Sequence, residues 1–231
     1  MTEPADILLI APHPDDPEMG AGGSVALWVK EGKRVVYIIC TNGDKGTSDT
    51  NIMPKDLAKI REKEQLAAAK VLGVKEVIFL GLPDQGLEDT SDFRKELVRQ
   101  IRKYRPETVA TTDPYRRYIW HRDHRICGQV TLDAIFPYAR DFHAYPDLIR
   151  EGLAPHKVKR ILFWGSEDCN MFMDICETFA TKLEAVSCHK SQFGNMLSQG
   201  MIDRLKQRAC DLAAGKPFNM AEAFHMVEIP R

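Results

Sequence analysis

No stretch of this chain is long and uncharged enough to cross a membrane as a helix. The longest uncharged runs, Met19–Val29 and Ser191–Ile202, fall well short of the ~20 apolar residues a span needs. An excess of one charge is also missing. Lys+Arg is 32 against Asp+Glu 33, a formal net charge of -1, so the total points to neither nucleic acid nor an anionic membrane. None of the six cysteines stands in a C-x-x-C pair, and no compact disulfide framework is visible. Reduced thiols and a cytoplasmic location are therefore expected. The first residues carry Glu3 and no basic flank, unlike a signal peptide. Internal repeats, low-complexity tracts and convincing linkers are absent too. With 44% hydrophobic and 28% charged residues, disorder is excluded. Residues 1–231 are expected to form one α/β domain.

What is present is alternation. Asp6–Ala11 and Val35–Cys40 are aliphatic runs of the kind buried on both faces of a parallel sheet. Val77–Leu80, Thr108–Thr111 and Arg160–Trp164 read as further strands. Met19–Lys30, Leu57–Leu72, Phe93–Tyr104 and Ile126–Phe136 read as helices, two of them stopped by Gly32 and Gly73. Two more helices are expected at Thr178–Val186 and Gln199–Ala214, and Asp141–Pro155 reads as a long surface loop or a small excursion. Strand and helix in turn imply βαβ units, hence a Rossmann-like three-layer α/β sandwich with a mostly parallel central sheet.

In such a sheet, ligands bind beyond the carboxyl ends of the strands. The loop after the first strand reads His13-Pro14-Asp15-Asp16-Pro17-Glu18. One imidazole and two carboxylates suit Zn²⁺ or a similar divalent ion. Adjacent side chains do not share a direction easily, so one aspartate would ligate and the other would face substrate or water. The plainer reading is an Asp16 N-cap with proline opening the helix. A second cluster, His121-Arg122-Asp123-His124, follows the fourth strand and can reach the same edge. One of its histidines would complete a three-ligand site with a position left for water. Asp123 could hydrogen-bond a neighbouring imidazole. Together the two clusters favour a metal over two unrelated polar loops.

The segment Ala11–Gly23 and the later HRDH resemble the two signatures of the LmbE / PIG-L family of zinc-dependent de-N-acetylases. Arg61-Glu62-Lys63-Glu64, Leu80–Asp84, Cys188–Gln192 and Ala221–Phe224 are similar to weaker features of that family. The resemblance implies one Zn²⁺ per chain on His13, Asp16 and His124, with Asp15 as general base. It implies that His121 stabilises the oxyanion as an imidazolium, with Asp123 behind it, and that Arg61 and Asp84 lie in the substrate pocket. It implies an N-acylated amino sugar of the N-acetylglucosamine type, or a conjugate of one, as substrate. Homo-oligomers, often hexamers, are implied as well. Pro17 departs from the family's usual Glu at a position not expected to ligate.

Gly20-Ala21-Gly22-Gly23 lacks G-x-G-x-x-G spacing and the P-loop Lys-Ser/Thr, so its small residues are read as helix packing. Leu66, Val71 and Leu72 read as core, and Trp28 and Trp164 as buried. Tyr115, Tyr118 and Trp120 crowd the loop before His121, as a pocket wall or an oligomer contact. His189 is either near the site or a structural helix-end histidine. Two competing readings are a non-hydrolytic Rossmann-like sugar- or nucleotide-binding protein and an inactive interaction protein.

Overall fold

A computed structural model of the chain describes residues 3–230. Seven strands form one sheet in the order β3-β2-β1-β4-β5-β7-β6. β1 is Ile7–Ala11, β2 Val35–Thr41, β3 Glu76–Leu82, β4 Thr108–Thr112, β5 Arg160–Trp164, β6 Met171–Asp174 and β7 Ala221–Glu228. The first five strands run parallel, with Ile7 opposite Val35 on one side and Thr108 on the other. β7 is antiparallel to both β5 and β6.

Every residue of β1, β2 and β4 is buried, which explains why these strands read as continuous apolar runs. Alternate side chains feed two cores. Leu8, Ile10, Val36 and Ile38 pack against α3 (Ser91–Tyr104) and α4 (Arg122–Asp133) through Leu97, Ile101, Cys127 and Val130. Ile7, Leu9, Val35 and Tyr37 face α1 (Asp16–Lys30), α2 (Pro54–Leu72) and α6 (Phe179–Ser187) through Val25, Trp28, Ala68 and Ala185. The three layers are helix, sheet and helix, as expected.

The chain turns from β1 outward to β2 and β3, then returns to place β4 on the other side of β1. The gap between the ends of β1 and β4 is therefore where successive connections diverge, the place an open α/β sheet offers to ligands. The two loops that open there are the two that carry the His/Asp clusters.

Several elements differ from the sequence reading. α1 begins at Asp16 rather than Met19, because Pro17 fits the first turn. Leu66 is 46% exposed; the inward face of α2 passes through Leu57, Arg61, Gln65 and Ala68, and Leu66 points away from it. The excursion after α4 contains a wide turn at Ala134–Ala139 and the short α5 (Pro146–Arg150), with Leu148 buried in the core. Two elements complete the order: α7 (Lys190–Phe193) and α8 (Gln199–Leu212). Gly20 and Gly23 sit where a Cβ would meet Trp164 at 2.5 Å and Ile175 at 2.8 Å, so the glycine run serves close helix packing.

Candidate active site

Pro12–Asp15 leaves β1 and enters α1, so His13, Asp15 and Asp16 stand at the carboxyl edge of the sheet. α4 starts at the same edge and carries Asp123 and His124 in its first turn, with His121 as its N-cap. Asp16 joins the two loops. Its Oδ2 lies 3.0 Å from His13 Nδ1 and its Oδ1 lies 3.4 Å from His124 Nε2. The two Asp16 oxygens thus each face one imidazole, which brings donors from both loops to one place. Ring nitrogens of His13, His121 and His124 also fall within 4.8 Å of one another.

The far side of His13 is acidic. Its Nε2 donates to Asp123 Oδ2 at 3.2 Å and lies 3.1 Å from Asp84 Oδ1. Burial opposes a charged His13 ring, yet hydrogen bonds to Asp123, Asp16 and Asp84 outweigh it and push its pKa up to about 12. A carboxylate behind a ligating imidazole is the usual support of such a ligand. The donor types suit a divalent metal: ligand atoms lie close enough together to hold one in His13, His121 and His124, and in His13, Asp84, His121 and Asp123, while Asp16 contacts both His13 and His124.

Asp123 does not stand behind His121 as the resemblance implied. Its carboxylate serves His13 and the backbone N–H groups of Gln85 (2.7 Å) and Leu87 (3.1 Å). His121 instead accepts the Asp123 backbone N–H at its Nδ1, 3.3 Å away. With Nδ1 accepting, the proton belongs on Nε2, so the ring is a neutral donor rather than an imidazolium. Burial, then the charges of His13 and His124, hold its pKa below the ordinary histidine value.

Asp15 precedes α1 with φ 90°, and its side chain makes no cap hydrogen bond. The carboxylate is left beside the Arg61 guanidinium, 3.3 Å from Nη2. Burial first, then the charge of Asp16, raise its pKa to about 7, while Arg61 pulls the other way. A carboxyl near neutrality can both take and return a proton.

Arg61 and Asp84, expected in the substrate pocket, do not line the open cleft, and neither do His13, Asp15 and Asp123. Arg61 is 3% exposed and is spent on Pro14 O (2.6 Å), Gly43 O (3.1 Å) and Asp15. Asp84 is equally buried, against His13 and the Lys45 backbone N–H. The cleft itself, about 710 Å³, opens over Asp16, His121 and His124. Tyr118, Trp120, Arg116, Arg117 and Arg208 form its walls, and Trp164, though 5% exposed overall, contributes one edge. Tyr118 and Trp120 are 82% and 92% exposed.

Gln65 and Glu18 carried no role in the sequence reading. Gln65 Oε1 accepts the Asp15 backbone N–H at 2.9 Å, and Gln65 Nε2 donates to Glu18 at 2.9 Å. A signal was present: Arg61 and Gln65 are polar residues four apart on the buried face of α2.

Comparison with known proteins agrees with this geometry. The profile of the family described as PIG-L, GlcNAc-PI de-N-acetylase, matches residues 8–135, which hold both His/Asp clusters. The chain belongs to this family. Diacetylchitobiose deacetylase of Thermococcus kodakarensis is 39% identical over 188 residues, covering 81% of this chain and 70% of that protein. Mycothiol S-conjugate amidase of Streptomyces coelicolor is 30% identical over 169 residues, 64% of this chain and 57% of that protein. The solved N,N'-diacetylchitobiose deacetylase from Pyrococcus horikoshii superposes with a TM-score of 0.90 at 29% identity, over 96% of this chain and 84% of that one. As a PIG-L family member the chain is a metal-dependent hydrolase that removes an acyl group from an amide nitrogen. Among the described residues no helix is long and apolar enough to cross a membrane.

Proposed function

We propose that this PIG-L family enzyme is a zinc-dependent de-N-acetylase of an N-acetylglucosamine-type sugar or conjugate. The observation that carries the reading is Asp16, from the loop after β1, touching His13 beside it and His124 from α4. Two imidazoles and a carboxylate favour zinc over harder cations. When bound there, the ion would supply Lewis acidity toward an amide carbonyl and toward water.

The chain's own residues supply the rest. Asp15 takes a proton from the attacking water and returns it to the amide nitrogen, which cannot leave as an anion. His121 offers Nε2–H to the oxygen on which charge develops. Asp123 and Asp84 hold His13 in place, and Arg61 holds Asp15. The cleft exceeds what one sugar ring fills, and Tyr118 and Trp120 give it aromatic walls for a second ring or an aglycone.

We place the enzyme in the cytoplasm, because its six cysteines stand in no C-x-x-C pair and no compact disulfide framework. We also propose a homo-oligomer and a single working unit over residues 1–231, both checked by light scattering of the purified chain.

The test is metal analysis paired with acetate release from N-acetylated sugars. One zinc per chain and acetate equal to free amine are expected. Asp15→Ala should keep the metal and lose acetate release; His13→Ala should lose the metal. A wild-type rate in Asp15→Ala would sink the base assignment.

A further inference from the structure

We propose that His189, Glu18 and Gln65 form a buried relay that positions Asp15 through its backbone. This rests on the reading of Asp15 as the base. The starting observation is conformational. Asp15 has φ 90°, a region that residues with side chains hold only when their surroundings impose it. As the N-cap of α1 it would ordinarily fold its carboxylate back onto the helix N–H groups, and it makes no such bond. Something else must hold the backbone in this conformation, with the carboxylate beside Arg61 rather than on the helix N–H groups.

That hold is the 2.9 Å hydrogen bond from Asp15 N–H to Gln65 Oε1. A glutamine amide presents its oxygen in one direction only if its nitrogen is committed to the other. Gln65 Nε2 is committed to Glu18 Oε1 at 2.9 Å. The other Glu18 oxygen, Oε2, takes His189 Nε2 at 3.1 Å, which sets the histidine as donor from that nitrogen. All three side chains are wholly buried, so water cannot substitute for a lost partner. His189 is fixed in turn by the next residues. Ser191 donates through its N–H (2.8 Å) and its hydroxyl (2.6 Å) to Glu64, the neighbour of Gln65 on α2. The late Cys188–Gln192 segment thus reaches the base without touching the cleft.

The role is positioning, and its signature is a rate loss without metal loss. Four variants are compared with wild type: Asp15→Asn, Gln65→Met, His189→Ala and His189→Gln. Acetate release, metal stoichiometry, and hydrogen–deuterium exchange over residues 12–18 of the metal-free protein are measured for each. Gln65→Met and His189→Ala should lower kcat by about 10- to 100-fold, with KM little changed, one metal retained and faster exchange at 12–18. His189→Gln, which still offers an N–H to Glu18, should recover most of the rate. If His189→Ala does not fold, Gln65→Met carries the test. Wild-type kcat or unchanged exchange in the folded variants overturns the relay, as does loss of metal in place of rate. An inactive Asp15→Asn beside fully active relay variants overturns this inference alone. An active Asp15→Asn overturns the base assignment and the relay with it.

Discussion

Asp123 accepts three hydrogen bonds on two oxygens, from His13 and from the Gln85 and Leu87 backbones. Burial would raise its pKa, but the His13 bond and the two N–H groups together hold it below the usual carboxylate value. It is thus a fixed anion behind His13, the proposed metal ligand, and partners of that kind set ligand orientation. Asp123→Ala should weaken metal binding by about 10- to 100-fold, read by competition with a chelating dye. It should also lower stability, since each N–H left unpaired costs about 1–3 kcal/mol. Unchanged metal affinity would show that His13 needs no such support. The residues meeting at Asp16 were legible because their types and spacing match ligand chemistry. The partner of Asp123 was not, because HRDH places it two residues from His121 and beside His124. His121 lies outside the helix as N-cap while Asp123 points inward, so neighbours in sequence face different residues. The depth of Arg61 and Asp84 was equally invisible: residue type tells what a side chain can do, not which layer it occupies.

Elements deliver these residues, and α4 delivers two of the most exacting. It lies so close to the end of β4 that a Cβ on Gly128 would stand 2.4 Å from Thr112 O and 2.8 Å from Pro114 Cδ. Backbone cannot yield as a flexible side chain does. Gly128→Ala should lift α4, cost about 1–3 kcal/mol, and weaken metal binding through His124. Gly152→Ala is the comparison: it is strained by φ +82° but meets nothing within 4 Å, so its melting point should fall with metal affinity intact. Equal metal loss in both would mean that general softening, not the seat of α4, is responsible. At the far edge, Glu222 on β7 takes Gly23 N, Ser24 N and buried Lys182. Glu222→Ala strands that ammonium and should cost about 3–5 kcal/mol in urea unfolding; a cost under about 1 kcal/mol would mean that water reaches Lys182. The parallel strands were legible as apolar runs. β7 was not, because a buried Glu222 breaks its alternation and its pairing is antiparallel, and β6 is only four residues long. Both gain their identity from the sheet edge they complete, a tertiary fact.

At the scale of the molecule, fold and site are separable. The two large apolar clusters flank the sheet on opposite faces, while the His/Asp cluster sits at the sheet's edge, where the order of connections reverses. Nothing in either core needs a cation to close it. Metal should therefore act on stability as a bound ligand does, not as a structural zinc whose removal unfolds the chain. The gain is RT ln(1 + [L]/Kd), about 2.7 kcal/mol when free metal is a hundred times its Kd. For a chain of this size one kcal/mol moves the melting temperature by roughly 2–4 °C. Chelation should thus lower it by roughly 5–11 °C and leave the far-ultraviolet circular dichroism at 25 °C unchanged. Restoring zinc should return both melting temperature and acetate release together. Collapse of the dichroism on chelation would show that the edge cluster holds the sheet as well as the reaction, because only a fold that depends on its metal loses both at once.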